Sequence, residues 1–138
     1  MRAVPSTDDK TTATRQPFAY AAIRVVPRVE REEFVNVGVV LYARPLKYLG
    51  VRTGLNRDRL LALWPDIELD PIERQLQVIR HVAAGDPTGG AIADLPESER
   101  FGWISAPSST VVQPGPIHTG LTHDPAITLD TLFSELVG

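Results

Sequence analysis

The chain has 138 residues, 43% of them apolar, no cysteine and a formal net charge of −3. This length fits one domain with one core, and the lack of thiols excludes a disulfide framework, thiol catalysis and cysteine-ligated zinc or iron–sulfur centres. The negative charge argues against a protein that binds nucleic acid over its whole surface, and the absence of a membrane-spanning run or an apolar signal segment predicts a cytoplasmic protein with no membrane partner.

The predicted elements begin after a polar N-terminal stretch. Residues 1–16 hold almost nothing that can be buried and predict a flexible tail, so residues 17–138 are predicted to form the single domain. Enrichment in Tyr, Ile and Val predicts a strand over Phe18 to Pro27 and a second over Glu33 to Ala43, joined by a short hairpin. A third strand, predicted over Leu46 to Gly54, completes an antiparallel meander.

The pattern then changes to a helical period. Asn56 can cap a short helix. Asp70 can cap a longer helix, with Pro71 at its first position and an apolar stripe along one face. The same pair of residues recurs at Asp124-Pro125 and predicts the last helix.

A segment rich in proline and glycine separates the last two predicted helices. It predicts one or two short strands, around Trp103-Ile104 and over Thr110 to Gln113. The predicted fold class is therefore α+β: an antiparallel meander sheet of three N-terminal strands plus one or two later strands, packed on one face with about three helices.

The second strand has a polar and a small residue at its centre, in Asn36-Val37-Gly38. Regular alternation places the odd-numbered residues from Glu33 to Leu41 on one face, and the valines among them predict that this face is the core face. Glycine within a strand marks a bulge or a close backbone approach, and a buried Asn can pair with amides that a bulge leaves free. A packing role is therefore favoured over a ligand site.

The pairing of the first two strands depends on the hairpin loop. A five-residue loop predicts these facing pairs: Arg24 with Asn36, Ala22 with Gly38, and Tyr20 with Val40. A four-residue loop shifts every pair by one position and turns Arg24 to the valine face. With the longer loop, Ala22 and Gly38 leave a shallow gap that admits either a packed helix or a ligand.

Polar side chains also concentrate in residues 108–125, and functional groups are often placed on such loops. A Ser/His/Asp hydrolase is not supported, because no G-x-S-x-G elbow is present. His118 and His123 have the spacing of neither a helical metal pair nor a zinc finger, and Asp124 is explained as a helix cap. We therefore predict no catalytic residue, no metal and no cofactor.

Two blocks of the sequence carry a family resemblance. They are FAYAAIRVVPRVEREEFVNVGVVLYA, from Phe18, and RFGWISAPSSTVVQPGPIHTGLTHDPAITLDTLFSELV, from Arg100. The matching positions are Tyr20, Arg24, Pro27, Glu33, Phe34, Asn36, Gly38 and Val39 in the first block and Ser109, Thr110, Gln113, His118, Gly120 and Pro125 in the second. On these residues the chain resembles the bacterial domain-of-unknown-function family thirty thirty-seven, over Phe18 to Val137.

The resemblance implies a partner more than an activity. Members of the family have no assigned activity, and their genes are commonly found beside one for a HipA-like kinase. Our leading hypothesis is thus a non-catalytic interaction or accessory partner of a HipA-like Ser/Thr kinase. The expected contact surfaces are the basic hairpin face and the segment from Ser109 to Thr119, with Ser109 or Thr110 as phosphoacceptors. A homodimer stays open.

Two alternatives belong to other functional classes. One is a small enzyme with a pocket around Arg24, Asn36 and His118, in which Glu33 takes part. The other is nucleic-acid binding through residues 24–59, which hold eight basic and four acidic residues. Taken together, the candidate pocket or interaction residues are Tyr20, Arg24, Glu33, Asn36, Gly38, Ser109, Thr110, Gln113, His118 and Thr119.

Overall fold

The computed structural model describes residues 15–108 and 110–138, so Ser109 and residues 1–14 of the predicted tail lie outside the described residues. The described part forms five strands and four α-helices. The strands are β1 (Gln16–Val25), β2 (Val35–Ala43), β3 (Tyr48–Thr53), β4 (Val112–Pro114) and β5 (His118–Thr122). The helices are α1 (Arg57–Leu63), α2 (Leu69–Ala84), α3 (Glu97–Ile104) and α4 (Pro125–Leu136).

All strand pairs in the sheet are antiparallel. The strand order is β3-β2-β1-β4, and β5 also pairs with β1. β4 lies along the end of β1 at Val25, whereas β5 lies along the end at Gln16. The α+β class and the N-terminal meander are confirmed, and both later strands extend the sheet from the same edge of β1.

Helices cover both faces of this sheet, whereas the sequence pattern predicts cover on one face. On one face, buried residues of α1, α2 and α3 pack against the sheet in one core cluster, which includes Ile23, Val37, Val40, Leu60 and Leu76. On the other face, α4 forms a second cluster with Phe18, Val39, Leu41 and Leu129. Seven of the nine residues of β2 are buried, as expected for a central strand covered on both sides.

A β-bulge interrupts β2. Arg24 faces Asn36 and Ile23 faces Gly38, so Val37 is an extra residue with no partner of its own on β1. A bulge of this kind lets two successive side chains point to the same side of the sheet. It explains why β2 cannot be divided into faces by simple alternation.

The bulge decides which predicted pairs are correct. The five-residue loop correctly predicts that Arg24 faces Asn36, although nine residues, 26–34, separate the two strands. Beyond the bulge the observed pairs are Ala22 with Val39 and Tyr20 with Leu41, so the pairs predicted with Gly38 and Val40 are wrong. A single valine face over the whole of β2 is wrong for the same reason, since Val37 and Val39 belong to opposite core clusters.

Side-chain caps fix two of the helix starts. Asn56 Oδ1 accepts a hydrogen bond from the Arg59 amide at 3.0 Å, and Asp124 Oδ1 accepts one from the Ile127 amide at 3.2 Å. Both agree with the predicted caps. Asp70 is not a cap, because α2 begins at Leu69, two residues before the predicted start at Pro71, and this places the carboxylate in the first turn. An acidic group there is still favourable, since it lies near the positive end of the helix dipole.

The predicted strand at Trp103-Ile104 is wrong, because both residues lie in α3. The β-propensity of these two residues is outweighed by other features of the segment, which favour a helix. Acidic side chains occupy the first turn after Pro96, and Phe101 and Ile104, three residues apart, are buried together on one face. The Phe101 ring also packs against Tyr42 of β2, with ring centres 5.4 Å apart.

Candidate functional site

Gly38 lies where two strand backbones are too close for a side chain. A Cβ atom at this position would stand 2.9 Å from the carbonyl oxygen of Arg52 on β3 and 3.1 Å from Cγ2 of Thr53. The neighbouring strand therefore fills the space over Gly38. Its role is to let β2 and β3 approach each other, and no cleft opens above it.

Asn36 joins the sheet to the last helix. Its Nδ2 donates a hydrogen bond to the carbonyl oxygen of Leu136, in the last turn of α4, at 3.1 Å. This bond satisfies one of the carbonyl groups that a helix end leaves without a partner inside the helix. The Oδ1 atom of Asn36 is buried and has no hydrogen-bond partner among the described residues.

We expect loss of this contact to destabilise the protein moderately. Asn36→Ala removes the donor to Leu136 and should lower the free energy of unfolding by about 1 kcal/mol, the usual contribution of one hydrogen bond. Asn36→Asp should cost more, because an ionised carboxylate facing a carbonyl oxygen cannot donate. Urea titration of both variants measures the difference. If the aspartate variant is as stable as the wild type, the contact has no energetic role.

Five candidate residues form two rows across the sheet. Arg24 faces Asn36 on β2 and Gln113 on β4, which forms a row across three strands. Tyr20 faces His118 on β5, and the two ring centres are 5.3 Å apart. The two rows are four residues apart along β1, which corresponds to roughly 13 Å. His118 and Asn36 thus lie on the same face but in different rows.

The guanidinium group of Arg24 lies between an aromatic ring and a glycine. Its Cζ atom is 3.9 Å from the centre of the Phe34 ring. A Cβ atom at Gly115 would stand 2.9 Å from Cζ and from Nε, so a larger residue there would displace the guanidinium from this position. Arg24 Nε is buried and has no hydrogen-bond partner among the described residues.

The other candidates lie apart from these rows. Glu33 accepts a hydrogen bond from Arg31 Nε at 3.0 Å, on the exposed hairpin. The Thr110 hydroxyl donates to the carbonyl oxygen of Val112 at 2.7 Å and so closes a turn before β4. Thr119 is exposed and faces Ala19, and it therefore points to the opposite side of the sheet from His118.

The predicted basic hairpin face carries charges of both signs. A groove beside the hairpin is lined by Arg28 and Arg31 but also by Glu32, Glu33 and Asp66. Within residues 24–59, three arginines form ion pairs with carboxylates: Arg31 with Glu33, Arg52 with Asp130 and Arg57 with Asp70. The excess of basic residues in the sequence is thus partly neutralised by neighbouring carboxylates.

Sequence reasoning missed a groove of about 440 Å³ between α2, α3 and β4, which we call the α2–α3 groove. None of the described residues that line it is charged. Trp103 and Val78 line it and remain 43% and 41% exposed. Val78 is an apolar residue that lies outside the buried stripe of α2. An apolar residue at such a position was the one feature of the sequence that could have indicated the groove.

Neither a metal centre nor a membrane span is found in residues 15–108 and 110–138. No three His, Asp or Glu side chains there are placed to hold a metal ion, and no helix there is long and apolar enough to cross a bilayer. In comparisons with known proteins, residues 20–137 match the model of a family described as protein of unknown function (DUF3037). No curated protein and no solved structure matches the chain significantly.

Proposed function

The chain belongs to the DUF3037 family of proteins of unknown function, and on this premise we propose that it is a cytoplasmic, non-catalytic interaction module whose partner is a HipA-like Ser/Thr kinase. The choice of kinase rests on the gene neighbourhood that the family resemblance implies. The observation that supports an interaction role is the α2–α3 groove. In this proposal, the kinase docks a segment in that groove.

The chemistry of the groove favours an apolar segment of the kinase. Trp103 and Val78 are large apolar side chains that stay exposed at its wall, and tryptophan is enriched among residues that dominate protein–protein binding. The lining, as described, has no charge that could compensate a buried charge of the partner. Burying such a charge would be costly, so the docked segment should present neutral, apolar side chains.

The rim of the groove limits how a segment can dock. Ser108, Thr110 and Gln113 line it, and the last two come from the segment expected to make contacts. β4 has only three residues and ends at Pro114, which has no amide hydrogen to donate, while the carbonyl of Val112 already accepts the Thr110 hydroxyl. Such an edge is a poor template for an added strand. Docking should therefore use side chains in the groove.

Truncation of Trp103 tests the proposal. We expect the neighbouring HipA-like kinase to bind the wild-type protein at micromolar concentrations in titration calorimetry. Trp103→Ala should weaken binding by at least about tenfold, because it removes the largest exposed apolar group of the groove. Ile127→Ala is the matched control, since Ile127 is 62% exposed but lies on α4. It should bind like the wild type.

Two results would contradict this proposal. If the wild-type protein releases no heat with the kinase at these concentrations, the kinase is not its partner. If Trp103→Ala binds as tightly as Ile127→Ala, the α2–α3 groove is not the docking surface. Circular dichroism of each variant shows whether a loss of binding reflects a loss of fold.

The two alternative functions have less support. An enzyme pocket requires Arg24, Asn36, Glu33 and His118 to converge, but they are divided between two rows and a separate ion pair on the hairpin. Nucleic-acid binding requires free basic groups in residues 24–59, several of which face carboxylates. The interaction module is therefore the function we propose.

A further inference from the structure

The sheet face opposite the α2–α3 groove holds a preorganised cation. The guanidinium of Arg24 lies over the Phe34 ring at 3.9 Å and fits against the bare Cα of Gly115. An arginine stacked on an aromatic ring loses little freedom when its edge forms hydrogen bonds, because the ring already fixes its plane. The fold thus fixes the orientation of this group before any ligand is present.

No counter-charge accompanies this cation among the described residues. The ion pairs found there involve other basic side chains, and Arg24 Nε is buried with no acceptor. Arg24 as a whole is only half-buried, so part of its side chain reaches solvent. A partly buried cation without a partner is costly, and an anion at its open edge would offset that cost.

The neighbouring polar groups leave Arg24 as the available donor. Asn36 Nδ2 is engaged with the carbonyl of Leu136, and Gln113 Nε2 donates to the carbonyl of Thr110 at 2.8 Å. Both residues face Arg24 in the sheet, and neither is acidic. Nothing in this row therefore repels an anion.

We propose that Arg24 is the centre of an oxyanion-binding site that takes a carboxylate or phosphate group. The terminal nitrogens of a guanidinium form two parallel hydrogen bonds to such groups, which gives both strength and orientation. Phe34 and Gly115 act as positioning residues, since they hold the plane of the guanidinium. The site lies on the other face of the sheet from the α2–α3 groove and does not depend on kinase binding.

Anion titrations of the full chain test this site. Sodium phosphate and sodium acetate are added separately at constant ionic strength, with sodium chloride as reference. The readouts are the melting temperature and the NMR resonance of Arg24 Nε–H. We expect a saturable shift of that resonance and a rise in melting temperature of about a few degrees. A response to phosphate alone assigns a phosphate ligand, and a response to acetate alone assigns a carboxylate.

Two variants should abolish the response. Arg24→Met keeps much of the apolar stem and removes the cation, so affinity should fall by at least about tenfold. Gly115→Ala puts a methyl group where the guanidinium lies and should have the same effect while the charge is kept. The controls are Arg74→Met, which removes an exposed charge on α2, and Gly102→Ala, where nothing lies within 4 Å of the added Cβ.

The proposal is overturned by either of two results. One is a wild-type protein whose Arg24 resonance does not move with either anion at tens of millimolar. The other is an Arg24→Met protein that is stabilised by anions as much as the wild type, because the anion then binds elsewhere. Kinase binding by the wild-type protein is measured separately, without phosphate or acetate. A failure of the anion site can then be distinguished from a failure of the proposed function.

Discussion

Gly38→Ala is expected to destabilise the protein by about 2–3 kcal/mol, a large effect for the addition of one methyl group. The new Cβ would stand 2.9 Å from the carbonyl oxygen of Arg52, which belongs to the backbone of β3 and cannot rotate away. β2 and β3 would have to separate, and the hydrogen bonds between them would lengthen. Chemical denaturation with urea, followed by circular dichroism, measures the loss.

Gly102→Ala is the matched control for this substitution. Gly102 lies in α3, and a Cβ there would meet nothing within 4 Å. Alanine favours a helix over glycine by up to about 1 kcal/mol, so this variant should be as stable as the wild type or slightly more stable. Equal stability of the Gly38→Ala and Gly102→Ala variants would show that β2 and β3 do not need their close approach.

Leu60→Ala is expected to have the largest effect, a loss of about 2–5 kcal/mol. Leu60 is fully buried and is the one buried residue of α1. Its truncation leaves a cavity in the core and removes the contact that holds this short helix against the sheet. Thermal and urea unfolding measure the loss, and amide exchange in α1 should increase.

Leu61→Ala tests whether burial is the cause. Leu61 is the next residue of the same helix but is 40% exposed. The same change in chemistry should cost less than about 1 kcal/mol there, because little apolar surface leaves the core. If Leu61→Ala lowers the free energy of unfolding as much as Leu60→Ala does, then burial of Leu60 is not what holds α1 against the core.

The parts of the fold that depend on local sequence could be predicted. The three N-terminal strands follow from β-branched and aromatic runs, and caps such as Asn56 and Asp124 fix helix starts through one local hydrogen bond each. α3 was missed because its helix depends on which side chains are buried in the folded state, and Trp103-Ile104 alone favours a strand. The cover on the second face was missed for a similar reason, since the chain reaches it only after β5.

The candidate site was predictable only in part. The pairing of Arg24 with Asn36 depends only on the register of the hairpin, and one of the two registers predicted from the sequence contains this pair. The contacts of Arg24 with Phe34 and Gly115 combine three segments that no local pattern connects. The α2–α3 groove likewise depends on how two helices and a short strand are arranged in space, so its residues carry no common signal along the chain.

The bulge in β2 also has a consequence for how this strand can evolve. At Gly38 the neighbouring backbone excludes any side chain, and the adjacent Val37, which is 1% exposed, fills the core in its place. The two positions therefore act as a unit in which an inserted residue supplies the bulk that its neighbour cannot carry. Loss of the insertion would leave a hole that no substitution at position 38 could fill. Relatives should thus keep or lose both features together, and a change in strand length here should be rarer than a change of residue type.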